Sequence, residues 1–340
     1  MNQKHFYLAL DAHSDHSQLA VLNAGGQLSS CKNYPTSGPT LIEAINAIKG
    51  HKTLVVEESQ IADWAKRTLE AYVDRFAIAD PKLNSWISKG QHIDDKVAAV
   101  RLARLLYGGY IQEVHHGDSK RQEFKELVLH YHDLTRQIVR FKNKLKAEFI
   151  AKALRLKGPA IYARDVFERY LNNLSDLPAT VFQAQNYFEI LNRLVVLKAS
   201  VLKKIRSYYK LYPEINQFRR IPGFGQVTAF TLSALIDTPH RFKNKHKLWS
   251  YVGLAKSQKI SNSTVYRSGP SHGGNRLLKY MLLSAARTAI RSKNDSVFKK
   301  TYARLNEKGV HIKNIRRTIA RQMVSIILKL WKSGDSYKMN

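Results

Sequence analysis

The sequence predicts an α/β domain followed by an all-helical remainder, and three observations predict it. Over the first third of the chain, apolar residues alternate between period two and helical spacing, whereas beyond about residue 118 helical spacing dominates. Charge is partitioned in the same way: residues 1–117 hold 12 Lys+Arg against 12 Asp+Glu, residues 118–218 hold 19 against 10, and residues 219–340 hold 25 against 4. The formal net charge of +30 therefore lies wholly outside the first third. Within that neutral third, three carboxylates (Asp11, Glu57 and Asp95) stand at the ends of apolar runs.

HFYLALDAH reads as a strand and SQLAVLN as a second, joined by a short polar turn. Asn23-Ala24-Gly25-Gly26 is a hairpin signal leading to a third strand at QLSSCKNY. PTLIEAINAIKG follows as a helix with Pro39 near its start, where the missing N–H costs nothing. TLVVEES is an apolar strand, IADWAKRTLEAYV a helix, and RFAIADP a strand stopped at Pro81. DDKVAAVRLARLLYGG is a helix ended by Gly108-Gly109. The order β-β-β-α-β-α-β-α is that of a ribonuclease-H-like (RuvC-like) α/β domain, an inference from element order.

From Asp118 the character changes. KRQEFKELVLHYHDLTRQIVRFKNKLKAEFIAKAL is a long amphipathic helix that stops before Gly158-Pro159, and a second long helical run extends from about Pro178 to Tyr209. With a short helical segment between them, the two read as an antiparallel coiled-coil arm, a spacer or oligomerisation device. The last third begins at RRIPGFGQVTAFTLSALI, passes through FKNKHKLWSYVGL and a polar loop at 255–275, and ends in three basic helices. The expected domains are thus 1–117, 118–212 and 213–340.

So basic a chain expects a polyanion, because Lys and Arg that neutralise phosphates release condensed counterions. A single cysteine, Cys31, excludes an internal disulfide and a cysteine zinc site. The amino-terminal apolar run is broken by Asp11 and is too short for a signal peptide, and no window approaches the length of a membrane span. A soluble cytoplasmic protein is expected.

The three acids carry the chemistry. For Asp11 alone, a turn cap or an ion pair is the better explanation, and acids such as Asp94 and Asp95 commonly open helices for the dipole alone. Three acids at the ends of successive core elements are more specific, since such clusters bind hard divalent cations that favour oxygen ligands. Ile221-Pro222-Gly223-Phe224-Gly225, ahead of a helix, reads as a helix-hairpin-helix turn in the basic helical domain, whose glycines at 223 and 225 would let the backbone approach a phosphate. A simple tight turn explains that motif as well. The polar loop carries Ser257, Ser261, Ser263, Thr264, Ser268 and Ser271 beside Lys256, Lys259, Arg267 and His272. Basic neighbours are what a serine attacking a phosphodiester requires. The 13 histidines show no paired-ligand spacing, and His115, His116, His130 and His132 read as surface residues.

Taken together, LALDAHSDHSQLAVL, LVVEES, the DDKVAAV helix start, IPGFGQVTA, WSYVGLAKSQKIS and GGNRLLKYML resemble the DEDD-type insertion-sequence transposases. That family includes Piv-like DNA invertases and bridge-RNA-guided recombinases, and the resemblance covers nearly the whole chain. It implies a RuvC-like domain holding Mg²⁺ (or Mn²⁺) through Asp11, Glu57 and Asp95. It also implies a distant serine that forms a covalent phosphoserine link to DNA. By spacing from Gly253-Leu254 that serine is Ser261, with Ser263 second; Ser268 precedes a glycine as the family serine often does, but lies too close to Gly274. Double-stranded DNA, a structured non-coding guide (bridge-type) RNA and a homodimer or homotetramer are the implied partners, with the two halves of the site coming from different subunits. Lys256, Lys259, Arg267, Arg276, Arg316 and Arg317 would hold phosphates, with Gly223 and Gly225 approaching the backbone. The family pattern puts a fourth acid three residues after Asp95, where this chain has Ala98. Asp94 could stand in, although it leaves a different helix face. Two alternatives stay open: a metal-dependent RuvC-like nuclease or junction resolvase without a covalent intermediate, and a catalytically attenuated nucleic-acid-binding relative.

Overall fold

A computed structural model describes residues 4–81, 94–154, 158–261, 264–270 and 273–337. The chain divides into two compact units, residues 1–119 and 120–340.

The first unit is built on five strands: β1 (His5–Ala12), β2 (His16–Leu22), β3 (Leu28–Pro35), β4 (His51–Glu57) and β5 (Arg75–Ala79). They form one mixed sheet in the order β3-β2-β1-β4-β5. β1, β2 and β3 are an antiparallel meander, and β4 and β5 run parallel to β1. The turn between β2 and β3 closes on Asn23, whose Oδ1 accepts from the backbone N–H groups of Gly25 and Gln27, both at 3.0 Å.

Alternation along β1 and β4 decides what each face packs against. Leu8, Leu10, Leu54 and Val56 are fully buried with Leu41 and Ile45 of α1 (Gly38–Asn46) and with Ala65 and Leu69 of α2 (Ala62–Leu69). Ala9, Val55 and Ala77 are buried on the other face against Ala99, Leu102 and Ala103 of α3 (Asp95–Tyr107). The small residues on both sides of this second contact let α3 approach the sheet closely.

The second unit is helical apart from one hairpin. α4 (Ser119–Ala151) and α6 (Pro178–Ser207) are antiparallel, with α5 (Arg164–Asn172) between them in sequence. Phe124 near the start of α4 stacks on Tyr208 just past the end of α6, whereas Phe149 near the end of α4 shares a core with Ala184 and Phe188 near the start of α6. The remaining helices are α7 (Glu214–Arg219), α8 (Gln226–Ile236), α9 (Lys245–Tyr251), α10 (Arg276–Arg291), α11 (Val297–Glu307) and α12 (Ile312–Ser333). α8 is buried from Thr228 to Ile236, and a helix apolar on every side belongs at the centre of a core. Two of its buried polar side chains, Thr231 and Ser233, are paired. The Thr231 hydroxyl donates to Val227 O at 2.7 Å and lies 2.8 Å from His132 Nε2 of α4. Glu214, also buried, accepts from Arg121 Nη1 at 2.8 Å and from the Ser233 hydroxyl.

Two sequence expectations change. The polar stretch 255–275 contains an antiparallel hairpin, β6 (Lys256–Ser261) with β7 (Thr264–Pro270), because Ile260, Thr264, Val265 and Tyr266 favour extended backbone. His116 and His132 are not surface side chains: the first is 7% exposed at its side chain and the second is buried.

Candidate metal centre and nucleic-acid interface

Because β1 and β4 are parallel, their carboxyl ends share one edge of the sheet. The last register pair is Leu10 with Val56, so Asp11 and Glu57 are the next residues on adjacent strands. Both have the parity of Ala9 and Val55 and therefore lie on the α3 side. α3 begins there, with Asp94 as N-cap accepting from Lys96 N at 3.0 Å and Asp95 opening the helix. Asp94 thus uses its Oδ1 as the helix cap.

One residue that sequence reasoning passed over completes the arrangement. His13 Nε2 lies 3.4 Å from Asp11 Oδ1 and 3.8 Å from Asp95 Oδ1. One ligand atom from each of Asp11, His13 and Asp95 falls within 4.8 Å of the others. A cation bonded at about 2.0–2.6 Å to each ligand fits that separation. The available signal was parity: residue 13 is two beyond Asp11, on the same side of an extended chain.

Burial pushes the pKa of Asp11 up, the attraction of His13 opposes this, and the negative charge of Asp95 raises it further. Glu57 is likewise raised, first by burial and then by the charge of Asp11, although its carboxylate is outside the tight Asp-His-Asp group. Anions crowded into a half-buried edge are what a divalent cation relieves. Oxygen donors of this kind suit Mg²⁺ or Mn²⁺, and an imidazole suits Mn²⁺ better than Mg²⁺. Ala98, half-buried one turn along α3 from Asp95, supplies no further oxygen.

Glu58 has the opposite parity and takes no part. It reaches His116 Nε2, while Asp63 of α2 reaches His116 Nδ1. Burial alone would push the His116 pKa down, but the hydrogen bonds to Glu58 and Asp63 outweigh it and leave the pKa raised. Lys66 Nζ donates to the carbonyl oxygens of His116 at 3.0 Å and Gly117 at 3.4 Å.

In the second unit the backbone of Ser261 ends β6, paired with Thr264, and Lys259 pairs with Arg267 across the hairpin. Ser263 and His272 lie outside the described residues. Two glycines close the base of the hairpin. A Cβ on Gly274, at φ +91°, would meet Gly253 N at 2.4 Å, so this backbone contact requires glycine. Gly223 has a packing reason of its own: at φ +90° its missing Cβ is replaced by Ala285 O of α10, 2.3 Å from where that atom would sit. Nothing lies within 4 Å of the corresponding position on Gly225. Arg276 is exposed at the start of α10, and Arg316 and Arg317 are half-buried on α12. Among the described residues no helix is long and apolar enough to cross a membrane.

The first unit thus carries an acid-edged sheet, and residues 219–340 of the second hold 25 Lys+Arg against 4 Asp+Glu. Residues 215–303, from α7 into α11, match the model of the transposase IS116/IS110/IS902 family. The transposase for insertion sequence element IS1111A of Coxiella burnetii is 24% identical over 155 residues, covering 45% of this chain and 42% of that protein. The insertion element IS110 uncharacterized 43.6 kDa protein of Streptomyces coelicolor is 26% identical over 136 residues, covering 40% of this chain and 33% of that one. The chain thus spans less than half the length of the curated relatives it matches. Over these stretches the chain is similar to insertion-sequence transposases of the IS110 type.

Proposed function

We propose that this protein is an RNA-guided, site-specific DNA recombinase of a mobile element, cutting and rejoining strands through a serine–DNA intermediate. The observation that carries the metal-dependent part of this reading is the convergence of Asp11, His13 and Asp95 at the strand edge beside Glu57, in a chain whose basic unit carries the transposase match. The sheet order β3-β2-β1-β4-β5 is in keeping with a ribonuclease-H-like domain. A divalent cation held there would supply charge neutralisation at a phosphodiester. The acids bind and orient that cation, and Lys256, Lys259, Arg267, Arg276, Arg316 and Arg317 hold backbone phosphates.

In the proposed step the Ser261 oxygen attacks phosphorus, a P–O ester bond breaks, and a deoxyribose hydroxyl leaves with the proton. Attack of a hydroxyl from another strand on the phosphoserine reverses the process and rejoins DNA. The choice of Ser261 rests on its spacing from Gly253-Leu254. The guide is proposed to be a structured non-coding RNA of the same element, supported by the family resemblance and by the excess of 30 positive charges.

The test is to incubate the protein with element-flank DNA, the RNA transcribed from those flanks, and Mg²⁺, and then to resolve denatured products. An adduct that survives denaturation and disappears in Ser261→Ala is expected; an adduct persisting in that variant removes Ser261 from the mechanism. Cleavage without any adduct would instead establish the nuclease reading. Ala98 favours the attenuated-relative reading, and Ala98→Asp separates the two: metal-dependent cleavage gained only in that variant marks a disabled enzyme.

A further inference from the structure

A cleft of about 930 Å³ opens between α9, the first residue of β6 and α12. Its volume falls in the range of small-molecule sites, roughly 300–1,000 Å³. Lys245, His246, Trp249, Lys256, Arg321 and Gln322 line it, and among the described residues no carboxylate does.

The aromatic wall is fixed in place. Trp249 Nε1 donates to the backbone carbonyl Arg321 O at 3.2 Å, and Arg321 Nε donates to Leu254 O at 2.7 Å, so the indole is tied to the backbone of α12 and the guanidinium to the loop leading to the hairpin. The guanidinium carbon is 5.9 Å from the indole centroid and Lys245 Nζ is 5.8 Å from it. His246 stands edge-on at 4.8 Å. Gln322 donates through Nε2 to Thr301 Oγ1 at 3.1 Å, but its Oε1 is buried and has no hydrogen-bond partner among the described residues.

An anchored indole and three cationic side chains call for a ligand with a flat π face and a negative charge. A nucleotide combines both. Inside a duplex, stacking and pairing occupy the faces and the pairing edge of the base, so only an unstacked base could enter. We propose that this cleft holds one unstacked nucleotide of a single-stranded nucleic acid, with its base against Trp249 and its phosphate on Lys245 and Lys256. The proposal rests on the nucleic-acid reading above and adds a place for one nucleotide. Lys256 opens the strand that ends at Ser261, so a nucleotide seated here would set the register of the strand beside that serine.

The experiment titrates the full chain with short single-stranded DNA and RNA oligonucleotides carrying 2-aminopurine, and with the matching duplexes. Stacking on an aromatic residue contributes enough for roughly a fivefold to hundredfold change in affinity per base. Trp249→Leu is expected to lose the 2-aminopurine quenching and to bind single strands about tenfold or more weakly, with duplex affinity changed less than about twofold. Trp249→Phe is expected to retain most of both. The DNA and RNA arms show which strand supplies the nucleotide. Should Trp249→Leu fold poorly, ultraviolet cross-linking of 5-iodouracil oligonucleotides to the unaltered protein decides, with adducts expected at Trp249 or its cleft neighbours. Unchanged quenching and affinity in Trp249→Leu, or cross-links lying wholly outside the cleft, overturns the proposal while leaving nucleic-acid binding intact. Absence of binding to any oligonucleotide overturns both readings.

Discussion

Acidification should loosen the joint between α4 and α8 through a single imidazole. His132 is 8% exposed, and burial, helped by the nearby charge of Arg136, lowers its pKa from 6.5 to about 4. The Thr231 hydroxyl spends its proton on Val227 O, so it accepts from His132 Nε2–H, which the neutral ring supplies. A histidine with a depressed folded-state pKa contributes stability that is full above its unfolded value and is lost as pH falls towards the folded one. With unfolded and folded values of 6.5 and about 4, that loss is about 2 kcal/mol between pH 7 and about pH 5. Many carboxylates titrate in the same range, so the informative quantity is the difference between the protein and His132→Leu. The leucine variant removes the titrating group and leaves Thr231 paired with Val227. Denaturant unfolding at several pH values, followed by near-ultraviolet circular dichroism, should show the unaltered protein losing about 2 kcal/mol more than His132→Leu over that interval. Parallel pH profiles for the two proteins would refute the assignment.

Divalent cation should stabilise the first unit more at pH 7.5 than at pH 4.5. The raised pKa values of Asp11 and Glu57 mean that folding favours their protonated forms; this contribution is full below the ordinary carboxylate range and disappears as pH rises through the raised values, where the ionised acids then need a counter-ion. At a concentration of Mn²⁺ a hundred times its dissociation constant the gain would be about 2.7 kcal/mol. Ala98→Asp should lower the half-saturating concentration several-fold, and thermal melting with equal Mn²⁺ shifts at both pH values would count against this site. Gly223→Ala should cost about 3 kcal/mol or more, since it combines a strained φ of +90° with a Cβ placed 2.3 Å from Ala285 O. Gly225→Ala, whose new Cβ meets nothing within 4 Å, should melt within about 1 kcal/mol of the parent. Weakened DNA binding in that stable variant would mark Gly225 as a backbone approach to phosphate.

The strands and helices of the first unit follow from hydropathy period and turn chemistry alone, because each is local: Asn23 closes its own turn, Asp94 caps its own helix, and small residues from Ala9 to Ala103 record a close packing. The acids Asp11, Glu57 and Asp95 were likewise legible as strand-end and helix-start carboxylates. Parity along an extended chain even separates Glu57 from Glu58. What local pattern could not decide is which side chains meet. His13 joins Asp11 and Asp95 only because a strand end and a helix start 84 positions apart are brought to the same face. His132 and His116 look like ordinary polar residues until tertiary packing surrounds them with Thr231 and with Glu58 and Asp63. Trp249 and Arg321 lie 72 residues apart and define a cleft only when α9 and α12 are laid side by side. Composition and periodicity determined a neutral acid-bearing sheet and a polycationic helical remainder; folding decided the company each charge keeps, since pairing energies depend on distance and burial rather than on sequence separation.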